Sequence, residues 1–381
     1  MMDKESAIGV FPWMPEKERE QNIQKLSALV GPEKAGEIRG MKNVRMLAPE
    51  HFVRLMGQLR TKGDEAGAEA LLKTVIPSVE EGEIDVPVEC GRDGMGSGYH
   101  LQEFALPDHE QPWNIRRLYP DRVILIVSLS CAGICRYCFR KSESGHTRHI
   151  DLAPALDYIR AWNTSREPKI RDVILSGGDP LSLSDTKLDD LLTQVWNIPG
   201  VECVRLDTKY PVTRPARITK RLLDVLDGRV NIVIVHVTHP AEISEEMIDA
   251  CKRMARRGIV LRSHTPLLRG INDKRETLKQ LFWALFSKCT VTPLYAIQFV
   301  ETPGASHFRI PLSESLELMR GMQNELSGPA VPNFIIYLPD GGGKYDIGPF
   351  EDIDTIGIRK VEGGYEIPSP LYPGKHGCYP D

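Results

Sequence analysis

The sequence predicts an α/β protein centred on a closed or partly closed parallel (β/α) barrel. A helical N-terminal extension and an irregular C-terminal extension flank it. Three observations predict this fold. From about residue 120, short β-branched runs recur at roughly the 30-residue spacing of a strand–helix–strand unit. Amphipathic segments of helical period lie between those runs. Glycine and polar residues cluster just past the strand ends, where β/α barrels carry their sites.

The elements follow in order. Residues 1–110 read as a helical N-terminal region and connector. Charged helix-like segments at Pro15–Gln21 and Pro49–Leu59 give way over 84–112 to a stretch broken by Gly91, Gly94, Gly96 and Gly98. Residues 111–345 read as the barrel. Its strand-like runs are Val123–Ser130, Asp172–Ser176, Glu202–Asp207, Asn231–Val237, Ile259–Ser263, Leu294–Phe299 and Asn333–Leu338. Helical segments at Leu188–Trp196, Ala216–Leu226, Ser244–Arg257, Lys274–Phe286 and Ser313–Leu326 supply the crossovers. Six or seven such units favour a barrel over an open doubly wound sheet. Residues 346–381, rich in Gly and Pro, are expected to form the irregular extension.

The composition narrows the function classes. With 381 residues, 41% hydrophobic and 26% charged, the chain can bury a substantial core. A net charge of −4 supplies no basic field, so nucleic acid is not expected as a partner. No apolar run approaches the ~18 residues of a membrane span, and the N-terminus has no long apolar segment of a secretory leader. A soluble protein of a reducing cytoplasm is the expectation. Eight cysteines do not make a disulfide framework; Cys90, Cys203, Cys251, Cys289 and Cys378 are scattered.

The other three stand together. Cys131, Cys135 and Cys138 form a C-x3-C-x2-C stretch directly after the strand-like run ending at Ser130. Three such thiolates can hold three irons of a [4Fe–4S] cluster, leaving the fourth iron open to a small molecule. A zinc site completed by His146 and His149 is the competing reading. Ser176-Gly177-Gly178-Asp179-Pro180 follows the next strand; its glycines allow close backbone approach, and Asp179 could bind an ammonium. The run Gly341-Gly342-Gly343-Lys344 follows the last strand. A lysine presented this way suits Schiff-base chemistry with a carbonyl cofactor such as pyridoxal 5′-phosphate (PLP). A Walker phosphate loop is not met, because Tyr345 follows the lysine.

These motifs, in this order, resemble the radical S-adenosylmethionine (SAM) enzymes of the lysine 2,3-aminomutase family. Tyr119-Pro-Asp-Arg122, Thr238-His-Pro240, Leu267–Asp273 and His307-Phe-Arg309 add to the likeness, which covers roughly residues 110–350. The resemblance implies a radical SAM partial barrel and an isomerase that turns an α-amino acid into a β-amino acid. It implies a cluster on Cys131, Cys135 and Cys138 and SAM held by Gly177, Gly178 and Asp179. It further implies PLP on Lys344, with Arg122 as a candidate for its phosphate, and a substrate carboxylate gripped by Arg140. By the same resemblance SAM is cleaved to a 5′-deoxyadenosyl radical, and the amino group migrates through an azacyclopropylcarbinyl radical. Expected partners are a free amino acid, a flavodoxin- or ferredoxin-like reductant, and further copies of the chain in a dimer or tetramer.

The chain departs from the family at the two aspartates that bind the distal ammonium of lysine. Counting from the His-Phe-Arg segment and from the PLP lysine places Val300 and Tyr337 there. Neither carries a carboxylate, so free lysine is not the expected substrate; a cationic amino acid such as arginine, served by Glu301 or Asp340, stays open beside a neutral one. The family's structural zinc is not expected, since Lys274 stands where a ligand would be and only Cys378 remains in the tail. Alternatives with the same cofactors are epimerisation, deamination or action on a protein lysine side chain. From a different class, an Fe–S electron carrier fits the triplet alone.

Overall fold

Nine strands form one sheet in strict sequence order. The computed structural model describes residues 20, 23–24, 30–33, 35–39, 47–82, 111–141, 150–338, 343–348, 357–370 and 374–380. The strands are β1 (Ile115–Tyr119), β2 (Arg122–Ser128), β3 (Asp172–Gly177), β4 (Cys203–Thr208), β5 (Ile232–His236), β6 (Val260–Pro266), β7 (Thr292–Ile297), β8 (Asn333–Leu338) and β9 (Gly343–Asp346). Strands β2 to β8 pair in parallel, each with the next. Antiparallel β1 and β9 close the two edges. The edges do not pair as strands, but the Tyr119 hydroxyl accepts a 3.1 Å hydrogen bond from the Lys344 backbone N–H. The result is a nearly closed barrel.

The crossovers are α3 (Ala153–Ser165), α4 (Asp185–Trp196), α5 (Lys220–Leu226), α6 (Glu245–Ala255), α7 (Arg275–Cys289) and α8 (Leu312–Met319). Two of them show local start and stop signals. Ser244 caps α6 by accepting from Met247 N–H at 3.1 Å, with Glu245 and Glu246 in the positive first turn and Lys252 and Arg253 in the last. The segment expected as one helix over 313–326 ends early because Gly321 takes a left-handed conformation, φ 66°.

Alternation along the strands sorts the side chains. Val123, Leu125, Val173, Leu175, Val204, Leu206, Val233 and Val235 are fully buried in the core shared with the helices. Each such side chain contributes about 1.5–3 kcal/mol of burial. The opposite, inner face carries Arg205, Asp207, His236, His264, Tyr295 and Tyr337, all half-buried. The outer face therefore holds the barrel together, and the inner face, apolar at Ile126, Ile174 and Ile234, turns these polar groups into a lumen.

Two more elements frame the barrel. Helices α1 (Glu50–Thr61) and α2 (Glu65–Val75) are joined by a turn in which Asp64 caps α2 through Gly67 N–H at 2.9 Å. The described part of the C-terminal extension is not irregular. It forms a three-stranded antiparallel sheet of β10 (Arg359–Val361), β11 (Gly364–Pro368) and β12 (His376–Pro380). The Val361–Gly364 pairing leaves a two-residue turn at Glu362-Gly363, where Gly363 supplies φ 79°. The Tyr379 hydroxyl donates to the Phe299 carbonyl at 2.6 Å and ties this sheet to the barrel's β7 end.

Candidate active site

The cysteine loop leaves the C-terminal end of β2 and is fastened on several sides. Ile134 N–H donates to the Leu47 carbonyl and Arg136 N–H to the Thr74 carbonyl, both at 2.9 Å. A Cβ on Gly133 would come within 2.6 Å of Pro49, so only glycine lets the loop lie this close to the start of α1. Between Cys135 and Cys138, Arg136 forks onto Glu81, with its Nε at 2.8 Å from Oε1. Lys141 reaches Glu81 at 3.4 Å and the Gly304 carbonyl at 3.0 Å. All three charged groups are 7% exposed or less. Burial pushes Glu81 up, but the Arg136 hydrogen bond and the charges of Arg136 and Lys141 outweigh it and hold the carboxyl below its usual range.

Cys131, Cys135 and Cys138 form no disulfide and lie half-buried on this one loop. Among the described residues no three Cys, His, Asp or Glu side chains already surround a single ion. A cluster takes one thiolate per iron, so its sulfurs stand farther apart than the ligands of one ion, and the donor set fits it. Burial raises the Cys135 thiol, opposed by the cation of Lys209. His146 and His149 lie outside the described residues.

The Gly177-Gly178-Asp179 segment binds this loop to its neighbour strand. Gly178 N–H donates to Ser128 O at 2.6 Å and Asp179 N–H to Ser130 O at 2.8 Å. A Cβ on Gly178 would sit 2.6 Å from backbone atoms of Leu129 and Ser130, and one on Gly177 (φ 120°) would meet Ser128 O at 2.4 Å. The Asp179 carboxylate is fully engaged. It accepts from Thr208 Oγ1 at 2.7 Å, Lys209 N–H at 2.7 Å and Leu181 N–H at 3.0 Å. Burial raises it to about 7 against those donors. Its observed work is to lock the β3 loop onto β4, and any ammonium would share it with three donors. Lys209 in turn pairs at 2.7 Å with the fully buried Glu242, which also accepts from Thr238 Oγ1 at 2.8 Å.

At the same rim, β8 and β9 set Lys344 directly across from Tyr337. The Lys344 Nζ lies 4.8 Å from the Tyr295 ring centre and 5.4 Å from that of Tyr337. Burial lowers its amine to about 8; Asp207 opposes that shift, and Arg205 and Arg122 add to it. Arg122 stacks over Tyr119 at 4.1 Å and lies 3.7 Å from Asp121. Arg140 acts electrostatically on Asp207, His236 and Tyr337, which puts it at the same lumen. Lys344, Arg122, Arg140 and Tyr337 thus gather around one space. Val300 sits past β7, where its carbonyl accepts from Thr302 Oγ1 at 2.8 Å. Glu301 is taken by a two-pronged pair with Arg309 at 2.6 and 2.7 Å. Gly341, Gly342 and Asp340 lie outside the described residues.

The lumen also holds residues that sequence reasoning passed over. Arg205 pairs with Asp172 at 2.6 and 3.0 Å. The His236 and His264 rings stand 5.4 Å apart, and His264 continues to Tyr295 at 5.3 Å. Burial keeps both imidazoles neutral, pushing His236 down to about 4 and His264 well below its ordinary value. The available signal was charge or imidazole at alternate positions of β4 to β6, strands that a barrel buried on both faces would fill with apolar residues.

Residues 125–282 match the Radical SAM superfamily. An L-lysine 2,3-aminomutase of Fusobacterium nucleatum is 31% identical over 353 residues, covering 91% of this chain and 77% of that protein. The chain belongs to the lysine 2,3-aminomutase family. Other members include the L-lysine 2,3-aminomutase of Clostridium subterminale, 37% identical over 67% of this chain, and the glutamate 2,3-aminomutase of Clostridioides difficile, 37% identical over 65% of it. The matches span 63% and 60% of those two proteins' own lengths. Family members with different named substrates are therefore about equally similar to this chain. As a radical SAM protein of this family, it has a [4Fe–4S] cluster and SAM as its expected complement. Among the described residues no helix is long and apolar enough to cross a membrane.

Proposed function

We propose that this chain is a PLP-dependent radical SAM 2,3-aminomutase acting on a free α-amino acid other than lysine. The carrying observation is the Lys344 amine, enclosed by two tyrosine rings at the rim that also bears the cysteine loop, with its affinity for protons lowered. Cys131, Cys135 and Cys138 would hold the cluster that reduces SAM, and the Gly177–Asp179 segment would support SAM beside them. Bound PLP would lend its conjugated ring to spread an unpaired electron during amino-group migration.

The chain's own groups have separate tasks in this reading. Lys344 offers the cofactor carbonyl an amine that gives up its proton more readily than an ordinary lysine. Arg122 and the neighbouring lumen cations offer charge to a phosphate. Arg140 offers a guanidinium fork to the substrate carboxylate. Val300 and Tyr337 present no carboxylate to a distal ammonium, and an unpaired ammonium against them would cost several kcal/mol, about 2–5.

Anaerobically reconstituted wild type should show PLP absorbance, cleave SAM and yield a β-amino isomer of one amino acid. Lys344→Ala should keep its cluster absorbance yet lose the PLP band and the product. A wild-type protein that binds no PLP sinks the proposal.

A further inference from the structure

We propose that Tyr137 is a positioning residue for the cluster's redox chemistry: its phenol hydroxyl donates to the Cys135 sulfur and stabilises the electron that the cluster takes up. The inference rests on the assignment of a [4Fe–4S] cluster to Cys131, Cys135 and Cys138. Tyr137 lies between the second and third of these cysteines. Cys138 N–H closes its turn by donating to Cys135 O at 3.2 Å, and Arg136 N–H holds the other side to Thr74 O at 2.9 Å. The Tyr137 ring packs against an apolar cluster that includes Leu268, Ile271, Phe299 and Phe308, edge-on to Phe308 at 6.3 Å and 88°. From that fixed ring the hydroxyl makes a side-chain hydrogen bond with Cys135.

Packing alone does not call for the hydroxyl. A phenylalanine would make the same edge-on contact, and a hydroxyl in such a place is costly without an acceptor. The acceptor it has is a cluster sulfur. As a ligand Cys135 is a thiolate and can only accept, whereas a phenol keeps its proton to about 10 and donates. Reduction takes one electron from a low-potential one-electron donor and carries [4Fe–4S]2+ to [4Fe–4S]+, with no bond broken. The added negative charge is shared by the thiolate sulfurs, so a donor aimed at one of them favours the reduced state over the oxidised one. The cations near this sulfur act less directly. Lys209 acts on Cys135 from a 2.7 Å pair with Glu242, whose charge opposes it, and Arg136 is forked onto Glu81. The hydroxyl acts by contact.

A passive role, in which Tyr137 only fills space, predicts that removing the hydroxyl leaves the potential where it was. Anaerobic redox titration of the reconstituted protein without SAM, followed by the resonance signal of the reduced cluster, separates the two. Tyr137→Phe keeps the ring and should make reduction roughly 10-fold less favourable, a fall of about 59 mV in midpoint potential for one electron. Iron content and melting temperature should not change. Tyr137→3-fluorotyrosine supplies a stronger donor of nearly the same shape and should raise the midpoint. An unchanged midpoint in the Phe protein, or both proteins moving in the same direction, overturns the proposal. If the Phe protein holds no cluster, the fluorotyrosine protein decides, and a midpoint at or below that of wild type overturns it. A wild type that assembles no cluster overturns the assignment of the three cysteines and this inference with it; a cluster-bearing wild type whose Phe variant keeps its midpoint overturns this inference alone.

Discussion

A lysine can attack a carbonyl only as the free amine, so the pH at which Lys344 captures PLP reports its surroundings. An ordinary lysine holds its proton to 10.5, and burial brings Lys344 down to about 8. At pH 7 about one molecule in ten would then carry the neutral amine, against about one in three thousand for an ordinary lysine, a gain of roughly 300-fold. The assay mixes cofactor-free protein with PLP across a pH series and traps the attached cofactor with borohydride. Capture should rise to half its maximum near pH 8. Neighbouring charges give the sign for two variants. Asp207→Asn removes an anion that favours the ammonium, so its midpoint moves below that of wild type. Arg122→Gln removes a cation that disfavours it, so its midpoint moves above. A wild-type midpoint near 10, or both variants moving in the same direction, refutes the reasoning.

Two other substitutions test how the cluster loop is held. Gly178→Ala forces a methyl into backbone atoms of Leu129 and Ser130, so it should cost about 1–3 kcal/mol and lower the iron bound per chain. Full iron content with an unchanged melting temperature would show that this contact yields freely. Glu81→Ala strands the buried cations Arg136 and Lys141 and should cost about 3–5 kcal/mol in chemical denaturation. Because Glu81 is held below the usual carboxylate range, its contribution is complete at neutral pH and fades as acid carries the pH through its folded value. Wild type should therefore lose stability there more steeply than the variant, and parallel acid profiles would remove Glu81 from the account.

The motifs that were legible in the sequence are those whose meaning is local. Three cysteines within eight residues, and two glycines before Asp179, signal chemistry or close approach whatever the rest of the chain does. The parallel strands were legible because β-branched runs separated by amphipathic helices admit few folds. Two edge strands were not. Ile115–Tyr119 is charged at Arg116 and Arg117, and Gly343–Asp346 begins with glycine, so both read as loop; pairing with a neighbour makes them strands. The β6 run was cut at Ser263, although the strand continues through His264 to Pro266. The C-terminal glycines and prolines suggested irregular chain, yet Gly363 serves a hairpin turn of a small sheet. Asp207 was the hardest to see, because its place beside Lys344 depends on which face of β4 turns inward, and that is not written in its flanking sequence.

The β8–β9 hairpin has a further consequence for anyone altering this protein. Tyr337 and Lys344 are cross-strand partners, so the position proposed to face the substrate side chain and the residue proposed for the cofactor share one ladder. A change at 337 that shifts the ladder moves the amine too, and a slip of one residue would turn Lys344 out of the lumen. Redesign through β8 would thus trade selectivity against cofactor alignment. The β4 strand is linked differently, through Thr208 to Asp179 and through the charge of Asp207 to Lys344, so changes there act on the cofactor side without moving the β8–β9 ladder.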